Sequence, residues 1–300
     1  MKHIIMTICA LLTCLSGSAQ AHKHLEGLPD YSYCGYRMSA EALPDVAVKV
    51  FVSHKGGDQS ARLQKAIDYV SSLKPDKVTG LRGAVLLDKG VYELATPLRI
   101  SASGVVIRGT SKTETVLQKT GVDRGAVVYI EGKDDFRALD TLSITDDYVA
   151  VGTKTIHLSA ASKAGNAQKM LIVRPSTKEW IESIGCNVFG GNLPYWGWKA
   201  GEMDVRWARS CTAVNGNEVT LDAPLTVALD SKWGKNFAVL YEWKGRIANC
   251  GVENLTIASD AVRKDSSEPF GFAVVAQPMD EDHAWDGIYI ENAEDCWVRM

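Results

Sequence analysis

Between Gly80 and Gln118 short apolar runs alternate with Gly, Ser, Thr and Pro punctuation. The runs 85–87, 91–94, 98–100, 105–107 and 116–117 are too short for helices and rich in β-branched residues, so the pattern predicts strands. None of the breaks carries the Asn-Gly or Asp-Gly pair that closes a two-residue hairpin. A coil that turns corners and lays each strand beside its counterpart in the next coil fits this spacing. Just upstream, Leu63, Ala66, Ile67 and Val70 share one helical face, and Asp58 or Ser60 can accept from the free N–H groups of a helix start. That helix is expected to cover the open apolar end of the first coil, where an unpaired edge would invite aggregation.

After Ile130 the rhythm stops. Residues 133–244 carry the strand candidates 155–158 and 170–173, an aromatic-rich stretch from Trp180 to Trp207, and an Asn215-Gly216 turn between two β-prone runs. This reads as a β-rich insertion growing out of one coil, a type of segment that often carries function. Strand character returns at 251–257 and 287–292 and again from Cys296 to Met300. Asn254 and Asn292 adjoin these runs, as corner residues in an internal ladder or as surface-loop residues. The chain stops within a strand pattern, with no capping helix after it, so a longer protein is expected.

The first 21 residues change the picture. A basic start at Lys2, an apolar run over 4–15 and the small-residue site Ala19-Gln20-Ala21 predict a secretory leader cleaved after Ala21, and the run is too short to span a membrane. The product is expected to be secreted or periplasmic. Leu11-Leu12-Thr13-Cys14 also reads as an imperfect lipobox, which keeps a surface lipoprotein as the alternative. The chain is thus divided into a leader (1–21), an irregular arm (22–56), the helix with the first coils (57–132), the insertion (133–244) and further coils (245–300).

With 300 residues, 46% of them hydrophobic and 23% charged, the chain can bury a sizeable core. The net charge of -3, with basic residues scattered, excludes a phosphate-tracking nucleic-acid protein. Of the 7 cysteines, Cys9 and Cys14 lie in the leader. The rest, Cys34, Cys186, Cys211, Cys250 and Cys296, are odd in number and form no C-x-x-C pair, so neither a disulfide framework nor a zinc site is signalled. They read as small buried hydrophobes.

Three ordered motifs carry a family resemblance: Gly57-Asp58-Gln59-Ser60-Ala61-Arg62-Leu63-Gln64-Lys65-Ala66-Ile67-Asp68, then Gly83-Ala84-Val85-Leu86-Leu87-Asp88-Lys89-Gly90-Val91-Tyr92, then Ser103-Gly104-Val105-Val106-Ile107-Arg108-Gly109. Together they resemble the opening of pectate-lyase-superfamily proteins. The resemblance implies an all-β fold: a right-handed parallel β-helix solenoid with an N-terminal capping helix, here with the β-rich insertion. It also implies a carbohydrate-active protein, with a uronate-containing polysaccharide as partner and cleavage by β-elimination as the expected reaction. A glycoside hydrolase on the same fold and a non-catalytic glycan-binding or structural β-helix remain as alternatives. The paired-Asp and Arg-x-Lys motifs of polygalacturonases, which resemble this fold, are absent here.

Elimination needs a base beside the uronate carboxylate and a cation or acid that neutralises that carboxylate, whereas hydrolysis needs two carboxyls at a set separation. Three stretches offer such groups. In Met279-Asp280-Glu281-Asp282-His283-Ala284-Trp285-Asp286, His283 and Asp282 are catalytic candidates, Trp285 is a sugar platform, and Asp280, Glu281 and Asp286 could bind calcium; a solvated acidic loop is the competing reading, and the D-x-D-x-D-G pattern is incomplete. In the segment 174–180, Arg174 and Lys178 are candidates to pair with a substrate carboxylate, against a surface salt bridge to Glu179 or Glu182. Trp180, Trp196 and Trp198 offer flat faces for sugar rings, against packing in the insertion core. His157, in an alternating strand, reads as structural, and no G-x-S-x-G, P-loop or H-E-x-x-H occurs.

Overall fold

The computed structural model describes residues 27–165, 168–190, 196–261 and 283–300. Among them the chain is mostly β-sheet, with one helix of 13 residues, Ser60–Ser72, and one of 6, Lys178–Ser183. Three parallel sheets are visited in the same order on each pass of the chain. Gly83–Leu87, Gly90–Leu94 and Leu98–Ile100 make one pass, and Val105–Gly109, Thr115–Lys119 and Val128–Glu131 the next. Gly251–Glu253, Thr256–Ser259 and Ile288–Glu291 follow, and Trp297–Arg299 returns to the first sheet, which Val48–Val52 edges on its other side.

The passes stack in register, Gly83 against Val105, Val85 against Ile107 and Ile107 against Val252. Because side chains alternate faces along a strand, parallel register sends matching positions of every pass to the same side. Val85, Leu87, Tyr92, Leu94, Leu98, Ile100, Val105, Ile107, Leu117, Val128, Ile130 and Val252 consequently form one core. Leu63, Ala66, Ile67 and Val70 of the long helix join that core, so the helix covers its end. At its start Asp58 Oδ1 accepts from Ser60 N at 3.0 Å and from Ala95 N at 3.1 Å, tying the helix to the first pass.

Corners are made by side chains that can enter the left-handed region. Asn254 (φ 51°) and Asn292 (φ 52°) donate through Nδ2 to the carbonyls of Gly109 and Gly132 on the preceding pass, at 2.9 and 3.5 Å. A Cβ on either glycine would run into the asparagine's own carbonyl oxygen, so corner and glycine belong together.

Between the second and third passes lies a second body of sheet. Six antiparallel strands are ordered Thr155–His157, Glu218–Leu221, Val205–Asn215, Lys169–Arg174, Phe237–Glu242, Arg137–Ser143. The Asn215-Gly216 turn, with Gly216 at φ 64°, folds Glu218–Leu221 back on Val205–Asn215. Met170, Ile172, Trp207, Val219, Leu221 and Leu240 fill a core distinct from that of the parallel sheets. The opposite face, bearing Lys169, Ala208, Ser210 and Tyr241, looks into a half-open groove.

Candidate functional site

Arg174 is the last residue of the strand Lys169–Arg174, and alternation puts its side chain on the core side with Met170 and Ile172. It is only 8% exposed. Its guanidinium lies over the Trp180 ring, 4.4 Å from the centroid. Among the described residues the guanidinium has no hydrogen-bond acceptor and no ion-pair partner. Burial pulls it below its ordinary pKa, and Asp230, which stands beyond contact distance, opposes that shift. A cation–π contact contributes about 0.5–2 kcal/mol, and the guanidinium nitrogens, which are not sealed from water, keep room for a stronger partner. The arrangement therefore favours an arriving anion, which a planar guanidinium can hold through two hydrogen bonds.

The helix Lys178–Ser183 sets the aromatic partner. Thr177 caps it by accepting from Trp180 N at 3.3 Å, and Thr177 Oγ1 donates to Trp233 O at 2.5 Å. Trp180 then stacks on Trp198, with ring centroids 6.2 Å apart and planes 18° from parallel, and Phe189 stands edge-on to Trp198 at 6.3 Å. The loop bearing Trp198 is held by Trp198 N to Cys186 O at 2.8 Å and Phe189 N to Trp196 O at 2.9 Å. Gly197 between the two tryptophans packs so closely on the Asn187 carbonyl that no Cβ fits. Buried Ser176 pins the other side, accepting from Gly201 N and Met203 N at 3.1 and 3.0 Å. Trp180 and Trp198 are half-buried and Trp196 is exposed, and the guanidinium over Trp180 has no ion-pair partner among the described residues.

The structure thus brings Arg174, Trp180 and Trp198 together, with Trp196 on the adjoining loop. Lys178 stands apart from them, exposed and paired with Glu182 at 3.7 Å. Trp207, by contrast, is core, its Nε1 donating to Thr226 Oγ1 at 3.0 Å. His157 is bound to Asp146 Oδ1 at 2.7 Å. The third stretch is on the other body of sheet, at the entry to Ile288–Glu291. There Trp285 is exposed under the Arg124 guanidinium, 4.7 Å away, His283 Nδ1 meets Ala284 O at 2.9 Å, and the Asp286 carbonyl accepts from Val127 N at 3.3 Å. Asp280, Glu281 and Asp282 lie outside the described residues. Among the described residues no three His, Cys, Asp or Glu side chains are grouped to hold a metal ion; the expected calcium set of Asp280, Glu281 and Asp286 has two of its members outside them.

A larger concavity was not signalled by any motif. The groove of about 1310 Å³ runs between the antiparallel sheet, the arm around Tyr33 to Ala40 and the corner Glu294–Cys296. None of the sequence-selected candidates among the described residues lines it. Three of its cations are ion-paired, Lys169 and Arg246 with Glu294, each at 3.3 Å, and Arg37 with Glu41 at 2.8 Å, whereas Arg209 donates to the carbonyls of Ala208, Ala223 and Pro224 and Lys154 lies over the Tyr33 ring. Size favours the groove as a binding site; the shelf differs in that no carbonyl or carboxylate meets its cation among the described residues, whereas Arg209 in the groove donates to three carbonyls.

No family model and no curated protein matches the chain. Among the solved structures similar to it are three phage tailspikes. The Gp54 tailspike of Acinetobacter baumannii bacteriophage AP22, in complex with A. baumannii capsular saccharide, is 10% identical over 68% of this chain and 29% of its own, with a TM-score of 0.34. The tailspike protein gp49 from Pseudomonas phage LKA1 is 18% identical over 66% and 28%, with a TM-score of 0.35. The tailspike gp61 of Pseudomonas phage phi297 is 13% identical over 77% and 30%, with a TM-score of 0.32. The chain spans less than a third of each of these proteins. At this overlap the function rests on the chain's own residues.

Proposed function

We propose that the chain is an exported, glycan-interacting protein built on a right-handed parallel β-helix, and that it binds an acidic, uronate-containing polysaccharide at the Arg174–Trp180–Trp198 shelf. The observation that carries this reading is the buried Arg174 guanidinium, which lacks an anionic partner among the described residues and lies against a stacked pair of half-exposed tryptophans. A uronate unit complements both parts: its carboxylate takes the guanidinium, and the apolar face of its ring lies on the indoles.

Cleavage by β-elimination is a second reading, favoured by the same guanidinium, since the reaction must neutralise the carboxylate beside the proton that leaves. It also requires a base at that sugar unit. His283 adjoins the third parallel sheet whereas Arg174 ends a strand of the antiparallel one, so binding is the stronger reading.

Isothermal titration against polygalacturonate, alginate and hyaluronan, beside a neutral glucan, tests the proposal. Binding to at least one acidic polymer but not to the glucan is expected, with Arg174→Met weakening it about 10- to 100-fold, the share of one charge-assisted contact. Equal affinity for the neutral polymer, or an unchanged Arg174→Met, would sink it. Ultraviolet absorbance of unsaturated products on the same polymers reads the elimination separately.

A further inference from the structure

Cys250 and Cys296 are neighbours on successive passes of the first parallel sheet. Gly251 is in register with Trp297, which sets the preceding residues side by side, and Trp297 N donates to Cys250 O at 3.0 Å. Both side chains turn inward: Cys250 is wholly buried in the parallel-sheet core, and Cys296 packs against that core. Adjacent strands lie about 4.8 Å apart, within the roughly 4.4–6.8 Å between Cα atoms that a disulfide spans. Each cysteine follows a left-handed corner residue, Asn249 (φ 58°) or Asp295 (φ 50°), so the pair sits at strand entries, where small backbone adjustments disturb few ladder bonds.

The two thiols differ in access and in chemistry. Cys296 is half-buried and lines the groove beside the arm, whereas Cys250 does not reach it. Cys250 Sγ donates to Ala102 O at 3.3 Å and Cys296 Sγ to Glu294 O at 3.3 Å. The neighbouring Cys250 thiol brings the Cys296 thiol below its ordinary pKa, while the same neighbour and burial push the Cys250 thiol well up. Cys296 is thus the thiolate-prone, reachable partner, and Cys250 the protected one.

We infer that Cys250 and Cys296 form a disulfide by exchange with an oxidised small-molecule or protein disulfide that enters through the groove. Cys296 loses its proton and attacks one sulfur of the oxidant, releasing the other as a thiolate that takes up a proton. Cys250 then loses its proton and attacks Cys296 Sγ, and the second oxidant sulfur leaves as a thiol. Two protein thiols are oxidised, and one oxidant disulfide is reduced to two thiols. The bond fastens the strand Trp297–Arg299 to the pass before it. Sequence counting passed over the pair because the cysteines stand far apart in the chain and only the parallel register makes them neighbours.

Treatment of the folded chain with oxidised glutathione, alkylation under denaturing conditions, digestion and mass spectrometry test the inference. The expected result is a peptide linking Cys250 to Cys296, with Cys186 alkylated. In Cys250→Ser, glutathione should remain on Cys296, because the residue that displaces it is gone. Cys34 lines the same groove and is the competing partner. A Cys34–Cys296 link, loss of the Cys250–Cys296 link in Cys34→Ser, or complete alkylation of Cys250 beside glutathionylated Cys296 would each overturn the assignment.

Discussion

Glu253 and Arg174 are both buried charges, one in each body of sheet, and they are treated in opposite ways. Glu253, in the first parallel sheet, is 2% exposed and surrounded by donors: Trp297 Nε1 at 2.7 Å, Arg299 Nη2 at 3.0 Å and Arg108 Nε at 2.5 Å. Arg174, at the end of an interior strand of the antiparallel sheet, has an aromatic face and no anion among the described residues. A compensated buried charge contributes to structure, because its removal strands its partners. An uncompensated one detracts from stability and remains available to a ligand. The contrast places the compensated charge in the parallel passes and the one without an anion in the insertion.

The largest expected effect is at the compensated end. Glu253→Ala should cost about 3–5 kcal/mol, because it leaves the buried Trp297 Nε1 without an acceptor and takes from Arg108 its buried partner. Urea denaturation measures this, and a loss below about 1 kcal/mol would erase the contrast. At the other end, Arg174→Met should leave stability unchanged or raise it slightly, while costing about 1.5–3 kcal/mol of binding to an acidic polymer. A stability loss as large as that of Glu253→Ala would make Arg174 structural. Trp198→Ala should weaken binding by about 0.5–1.5 kcal/mol, the scale of one aromatic stacking contact, with a small change in melting temperature.

The smallest effect concerns the helix start. Hydrogen bonds from the Ser60 hydroxyl, then from the Ser60 and Ala95 amides, hold the Asp58 carboxyl below its usual pKa. A depressed folded-state value means the contribution is complete above the ordinary carboxylate range, at about pH 4, and fades as pH falls through the lower folded value. Melting temperature should therefore fall less on acidification in Asp58→Asn than in the parent chain. Equal slopes would show that the carboxylate's charge adds nothing there.

Much of the parallel scaffold was legible because its chemistry is local. The run 85–87 lies in Gly83–Leu87, 105–107 in Val105–Gly109 and 98–100 is Leu98–Ile100 itself, since brief β-branched runs without hairpin turns leave few other packings. The face formed by Leu63, Ala66, Ile67 and Val70 was equally plain from its spacing. The arrangement of the insertion was less so. Phe237–Glu242 inserts between Lys169–Arg174 and Arg137–Ser143, and no turn signal could place a strand nearly a hundred residues from its outer partner. For the shelf, the W-G-W triplet and the Arg-to-Trp spacing were visible, but the stacking of Trp180 on Trp198 depends on loops that meet only in three dimensions.

Residue order by itself determined most strands of the parallel passes (though not Val48–Val52 in the arm), where the first helix runs, and which side chains are chemically able to meet a carboxylate or a sugar ring. These are properties of a few adjacent residues, set by steric period and side-chain type. Tertiary structure alone decided which charges are compensated, that Arg174 is stranded while Glu253 is satisfied, and that Cys250 lies beside Cys296. Electrostatic energy and thiol reach fall off within a few ångströms, and at that range the neighbours come from distant parts of the chain.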